Sequence, residues 1–294
     1  MVGKILITGA SGLLGQKLVT LATSKGYDVC SLYHAHLPKG GRPTRVDLTD
    51  AKAVNDCLQA EAPDAVINTA SITNVDLCER EPESAMQING TATGLLAENC
   101  HKANAFLVHV STDYVFDGTR GNYAEDDEPS PINHYGRSKL RGELEARRQE
   151  NSCIARTSVV YGWGEYRSNF ATWLYDRLRA GDNVNVVTDQ YASPTFNSNL
   201  ARMVLELADR RIRGIVHVAG ATRASRYEFA VRLAEEFNFD TNLIVPVESS
   251  AMGWVAKRPR DSSLNVTKAM KILNNKPETL DEALREFAKE APQS

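Results

Sequence analysis

The sequence predicts an α/β protein: a doubly wound parallel sheet with helices on both faces and a smaller C-terminal lobe. Three observations predict it. Short apolar runs alternate with longer amphipathic stretches through about the first 160 residues. The first run, Lys4-Ile-Leu-Ile-Thr8, leads at once into a glycine-rich turn, Gly9-Ala-Ser-Gly12-Leu-Leu-Gly15. Beyond about residue 160 the alternation loosens, yet no Pro/Gly/Ser-rich linker sets off an independent domain.

Taken in order, Lys4–Thr8 reads as a buried strand. Leu13, Leu14, Leu18, Leu21 and Ala22 then recur at helical spacing, and Gly26 stops that helix. Val29–Tyr33 is a second strand, Asp64–Asn68 a third introduced by Pro63, Phe106–Val110 a fourth and Ser152–Arg156 a fifth. Helices are expected over Ala85–Lys102 and from Tyr135 to about Glu150. In the second half, Tyr161-Gly-Trp-Gly-Glu-Tyr166 is a loop and Phe170–Arg179 a helix. Val184–Val187 and Ile215–Val218 follow as strands, and Tyr227–Phe237 and Leu280–Ala288 as amphipathic helices.

Composition narrows the function classes. Lys plus Arg is 34 and Asp plus Glu is 37, a formal charge of -3, and 42% of the 294 residues are hydrophobic. That balance excludes a nucleic-acid binder driven by bulk charge, and a disordered chain. No run of about eighteen apolar residues predicts a membrane span. Cys30, Cys57, Cys78, Cys100 and Cys153 are odd in number and widely spaced without C-x-x-C, against both a disulfide framework and a zinc site. His34 and His36 lack further His or Cys nearby, so no metal is expected. The first residues show no signal-peptide pattern, and the expectation is a reduced, cytoplasmic protein. The N-x-S/T matches at Asn89 and Asn265 then carry no glycan.

A strand–glycine turn–helix unit is suited to a dinucleotide. The glycines let the backbone approach a pyrophosphate, which the helix N-terminus favours electrostatically. Gly9, Ser11, Gly12, Leu13, Leu14 and Gly15 are therefore candidate cofactor contacts, with a plain tight turn as the alternative. After the second strand, an enzyme using NAD normally places an acid for the ribose. Here Leu32-Tyr-His-Ala-His-Leu-Pro-Lys-Gly-Gly-Arg42 holds none before Asp47, while His34, Lys39, Arg42 and Arg45 offer positive charge to a 2′-phosphate. NADPH is the expected cofactor, with NADH left open and Tyr33, His34 and Arg42 at its ribose end.

Tyr135-Gly-Arg-Ser-Lys139 sets a tyrosine and a lysine one helical turn apart, on one face. An ammonium beside a phenol favours phenolate, so the pair can exchange a proton beside a hydride carrier. Ser111-Thr112-Asp-Tyr-Val-Phe-Asp-Gly118 directly follows the fourth strand, at the sheet's carboxyl edge. There Thr112 is expected to hydrogen-bond a substrate carbonyl that Tyr135 protonates, with Lys139 also holding the nicotinamide ribose. Thr112, Tyr135 and Lys139 are the candidate catalytic set.

These blocks resemble an extended short-chain dehydrogenase/reductase, and more narrowly the dTDP-4-dehydrorhamnose reductase family. The likeness covers nearly the whole chain. It rests on Gly9–Gly15, Asp47–Asp50, Asn68–Glu79, Ser111–Gly118, Tyr135–Glu143, Asp189-Gln-Tyr-Ala-Ser-Pro-Thr195 and Arg258-Pro-Arg-Asp-Ser-Ser-Leu264. It implies a Rossmann-type domain and reduction of a 4-keto nucleotide sugar by NAD(P)H. By the same resemblance Ala70, Ser71 and Ile72 line the cofactor, and Asp47 and Leu48 lie near its adenine. The expected division gives residues 1–160 and 183–217 to the NADP-binding domain, and 161–182 and 218–294 to a substrate-binding lobe. The loop Val159–Arg167 departs from the family pattern, which leaves the sugar open.

Arg258 and Arg260 flank Pro259 and supply cationic forks suited to a diphosphate. Thr73, Asp113, Tyr114, Gln190 and Thr195 complete the candidate substrate contacts. Trp163, Tyr166, Phe170 and Trp254 suit stacking on a base as well as they suit a core. The expected partner is a nucleotide-sugar substrate, with a homodimer left open and neither nucleic acid nor membrane. The blocks also resemble the regulatory β subunit of methionine adenosyltransferase, so an NADP-binding regulatory subunit is the alternative. An epimerase or dehydratase lacks support, because Thr112-Asp113-Tyr114 supplies one acid where a dehydratase wants a pair.

Overall fold

The computed structural model describes residues 3–166 and 168–292. The first half alternates strand and helix: β1 (Lys4–Thr8), α1 (Leu13–Ser24), β2 (Asp28–Tyr33), β3 (Arg42–Arg45), α2 (Ala51–Glu61), β4 (Ala65–Asn68). Then come α3 (Val75–Arg80), α4 (Pro82–Ala85), a π-helical turn (Met86–Thr91), α5 (Ala92–Lys102), β5 (Phe106–Thr112), α6 (His134–Arg147) and β6 (Ser152–Thr157). The second half holds β7 (Val160–Tyr161), α7 (Phe170–Arg179), β8 (Val184–Val187), β9 (Tyr191–Ala192), β10 (Thr195–Phe196), α8 (Asn197–Asp209) and β11 (Gly214–His217). It closes with β12 (Ala224–Ser225), α9 (Arg226–Glu236), β13 (Ile244–Val247), α10 (Thr267–Ile272) and α11 (Leu280–Lys289).

Seven strands form one parallel sheet in the order β11-β6-β5-β4-β1-β2-β3. Period-two alternation divides each central strand between two cores. Ile5, Ile7, Ile67, Val108 and Ala155 face α1 and α8. Leu6, Val66, Leu107 and Ile154 face the opposite layer with α2 and α5. Both sets are fully buried, which is why these runs read as continuously apolar. The order reverses between β1 and β4, so a crevice opens at their carboxyl ends.

A second core gathers Tyr161, Leu174, Phe196, Phe229, Leu284 and Phe287. Residues 183–217, grouped by sequence with the first domain, divide in the structure. Val184–Val187 pairs in parallel with β13, and its Val184 and Val186 pack in the second core, where the strand contacts α9 and α7. Helix α8 packs on α1, and β11 joins the sheet beside β6. Ala85–Lys102, expected as one helix, contains the π-helical turn, which reorients Asn89.

Candidate functional site

The glycine turn lies at the crevice. Gly9 has φ +63°, and a Cβ there would stand 2.8 Å from the Ala70 nitrogen. A Cβ at Gly15 would stand 2.1 Å from the Gly9 carbonyl oxygen, so the turn closes only without one. Gly12 is the N-cap of α1, with no side-chain cap and no acid in the first helical turn. Those free N–H groups and the helix dipole suit a pyrophosphate. Leu14 packs in the core, so only its backbone serves a ligand, while Ser11 and Leu13 are half-buried at the turn.

At the ribose end Tyr33 closes β2 half-buried and His34 is exposed, its Nε2 3.9 Å from the Asp47 carboxylate. Asp47 also accepts from the Thr49 N–H and hydroxyl, which hold its carboxyl below the usual range. Leu48 is half-buried against the α2 layer. Arg42 differs from expectation. It pairs in register with Cys30, three residues and roughly 10 Å from the Tyr33 end, and its guanidinium is held by Asp28 and Glu61. Arg45 stands opposite Tyr33 instead, its Nε donating to the His34 carbonyl at 3.1 Å.

From β4, Ala70 to Thr73 line the other wall. The Ser71 hydroxyl donates to Asn89 Oδ1 at 2.9 Å, the Ile72 N–H donates to the same atom, and Asn89 Nδ2 donates back to the Ile72 carbonyl. Thr73 is exposed.

Thr112 ends β5, and Tyr135 and Lys139 lie on the first turns of α6. Asn133 caps α6, and a Cβ at Gly136 would stand 2.1 Å from the Tyr114 carbonyl oxygen. That close approach seats the start of α6 against the end of β5 and the turn that follows it. Burial raises the Tyr135 phenol well above the ordinary tyrosine value, against the lowering pull of Thr112. The expected lowering by Lys139 does not appear: beside burial, the groups acting on the phenol are Thr112, Asp113, Cys78 and Tyr114. Lys139 is 3% exposed, donates from Nζ to the Val110 carbonyl at 2.7 Å, and is pushed down to about 8 by burial, with Glu143 opposing.

Two expected substrate contacts are occupied otherwise. Asp113 is 2% exposed and accepts from Thr112, Ser158 and Ser262; burial raises its carboxyl against those three bonds. The fully buried Thr195 donates to the Ser193 carbonyl and accepts from the Gly220 N–H. Gln190 is buried, and its carbonyl accepts from the Arg226 N–H. Tyr114 is half-buried, with its ring edge-on to Tyr135 at 5.8 Å. Arg258 pairs with Asp76 at 2.9 Å and lies over the Trp254 ring, whereas Arg260 is exposed. Trp163 stacks on Phe287 in the second core; Tyr166 stacks on His36.

With this geometry in view, the family model described as the RmlD substrate binding domain matches residues 3–292. The chain belongs to that family. It is 40% identical over 287 residues to a probable low-salt glycan biosynthesis reductase of Haloferax volcanii, covering 95% of each chain. The structure of dTDP-4-dehydrorhamnose reductase from Bacillus anthracis in complex with NADP superposes with a TM-score of 0.88 at 31% identity, covering 99% of this chain and 100% of that one. Methionine adenosyltransferase 2 subunit beta of Mus musculus is 33% identical over 275 residues, covering 90% of this chain and 81% of that protein.

Sequence reasoning missed two residues that the structure places at the candidate site. Arg226 lies over the Phe170 ring, 4.9 Å from its centroid, and Tyr114, Asp113 and Arg258 are the charged and polar groups that act on it. Its signal was weak: it directly follows the capping Ser225 of α9. Asn89 buttresses the Ser71–Ile72 wall, and no sequence pattern announces a π-turn.

Proposed function

We propose that this chain reduces the 4-keto group of a 6-deoxy nucleotide sugar, of the dTDP-4-dehydrorhamnose to dTDP-rhamnose type, with NADPH as cofactor. The observation that carries the reading is the convergence of Thr112, Tyr135 and Lys139 at the sheet's carboxyl edge beside the uncapped, glycine-lined N-terminus of α1. The same residues pass the test of fit for the cofactor: N–H groups for the pyrophosphate, Arg45 and His34 for a 2′-phosphate, and Lys139 for the nicotinamide ribose. When bound, NADPH supplies the hydride that reaches the ketone carbon. Tyr135, kept protonated at neutral pH by burial, donates its phenolic proton to the ketone oxygen. Lys139 then balances the phenolate. Arg226 and Arg258, both of which act on the Tyr114 phenol, would meet the sugar's diphosphate.

The test is oxidation of NADPH on adding dTDP-4-keto-6-deoxy sugar. Turnover is expected, and Tyr135→Phe should lower it by about 10²–10⁴ while NADPH affinity holds. Tight NADPH binding with no turnover on any keto sugar would sink this reading and favour the regulatory-subunit alternative.

A further inference from the structure

Residues 162–166 follow β7 and lie in the stretch that departs from the family pattern, a departure that the sequence reading ties to the sugar. The structure carries this loop elsewhere. Its base is fixed. Asn169 Nδ2 donates to the Gly162 carbonyl at 2.7 Å, and Asn197 Nδ2 donates at 3.2 Å to both the Trp163 and the Leu13 carbonyls. Trp163 Nε1 donates to the Phe287 carbonyl at 2.8 Å, and its ring stacks on Phe287. A Cβ at Gly162 would stand 2.0 Å from Asn197 Oδ1, and one at Gly164 would stand 2.8 Å from Leu13 Cδ1. The loop therefore starts pressed against the first residue of α1.

Its tip crosses to the segment after β2. The Tyr166 hydroxyl donates to the Leu37 carbonyl at 3.1 Å, and its ring stacks on His36 with the centroids 4.6 Å apart. Glu165 pairs with Lys39, one of the cations that the sequence offers a 2′-phosphate. All five of these residues are exposed, so each contact at the tip is weak and readily broken. In a fold of this type the pyrophosphate lies at the N-terminus of the first helix and the adenosine ribose at the end of the second strand. The loop touches both places, Leu13 at its base and His36 to Lys39 at its tip. A firm base and a weak tip across that path are the parts of a latch.

We propose that residues 162–166 latch the adenosine end of the NADPH site, and that Tyr166 sets how fast the cofactor enters and leaves. Every contact that closes the latch lies within the chain, so opening it is the same step for entry and for release. The departure from the family pattern then bears on cofactor exchange and not on the sugar. This inference rests on the reading above that seats NADPH at the glycine turn, and it is independent of which sugar is reduced.

The test is stopped-flow NADPH fluorescence on the full-length protein, which gives the association and dissociation rates separately. Tyr166→Ala removes both the stack and the hydroxyl. It is expected to raise both rates about tenfold and to shift Kd by less than about threefold. Tyr166→Phe keeps the ring and should raise both rates by about two- to threefold. In a His36→Ala background, Tyr166→Ala should add only about that smaller factor, because the stack is already gone. Affinity for dTDP-rhamnose, read by calorimetry, should hold. Unchanged NADPH rates in Tyr166→Ala would overturn the proposal. So would faster release with unchanged association, which would make Tyr166 a direct cofactor contact. Lost dTDP-rhamnose affinity with unchanged NADPH rates would return the loop to the sugar. A wild type that binds no NADPH would overturn the cofactor reading itself, and the latch with it.

Discussion

Lys139 is the residue whose chemistry depends most on its surroundings. Burial lowers its pKa to about 8 and its Nζ is held on the Val110 carbonyl. The sign for folding is unfavourable below that value. The unfolded chain binds the proton more tightly, so the charged lysine costs stability below about pH 8, and the cost fades as pH rises toward the ordinary lysine range. For the proposed chemistry the order reverses. Above about pH 8 the ammonium that would balance the Tyr135 phenolate is lost, so kcat/KM for keto-sugar reduction should fall on an alkaline limb near that pH. An arginine does not titrate there, so whatever activity Lys139→Arg retains should lack the limb. A limb at the same pH in Lys139→Arg would assign it to another group.

At the scale of elements, register decides which cations meet a 2′-phosphate. Strands β2 and β3 run parallel with Cys30 opposite Arg42 and Tyr33 opposite Arg45, so only Arg45 reaches the carboxyl edge. Arg45→Ala should weaken NADPH by about 1–3 kcal/mol and leave NADH nearly unchanged, the scale of one lost charged partner. Arg42→Ala should leave both affinities alone, since its guanidinium serves Asp28 and Glu61 at the far edge. Fluorescence titration of the four combinations checks this, and equal NADPH losses in the two variants would refute the register argument. The sequence offered four basic residues in this region and singled out His34 and Arg42, because the short Arg42–Arg45 strand has no apolar period from which to read its register. It was legible where physics is local. Buried strands show as apolar runs, the glycine turn shows as close approach, and Tyr135 and Lys139 share a helical face. It was not legible where partners come from far along the chain. Asp113 meets Ser262 across 149 residues, and neither spacing nor period encodes that meeting. The direction of the Tyr135 shift was hidden too, because it follows from burial and not from the lysine one turn away.

On the scale of the whole molecule, the two cores are joined through the site itself. Asn197 on α8 donates from Nδ2 to the Leu13 carbonyl, at the glycine turn, and to the Trp163 carbonyl, at 3.2 Å each. Asp76 on α3 holds Arg258 and the Ala256 N–H, and Asn133 Nδ2 donates to the Lys257 carbonyl at 2.9 Å. Ser262 reaches Asp113. Asn197 thus ties the glycine turn to the Trp163 loop of the second core, the other bonds tie the sheet-bearing half to the segment that follows β13, and several lie at the proposed cofactor and sugar positions. Loosening either core therefore removes polar partners from the other, and buried groups left unpaired are costly. Thermal unfolding should show one cooperative transition, not one for each core. A ligand that binds only the folded state adds about 2.7 kcal/mol at a hundredfold excess over its Kd. Saturating NADPH should thus move that single transition upward as a unit, by on the order of 5 °C for a chain of this length. Scanning calorimetry with and without NADPH decides the matter. Two resolved transitions, of which NADPH shifts one alone, would mean that the cores unfold independently and that the bonds through the site couple them too weakly to matter.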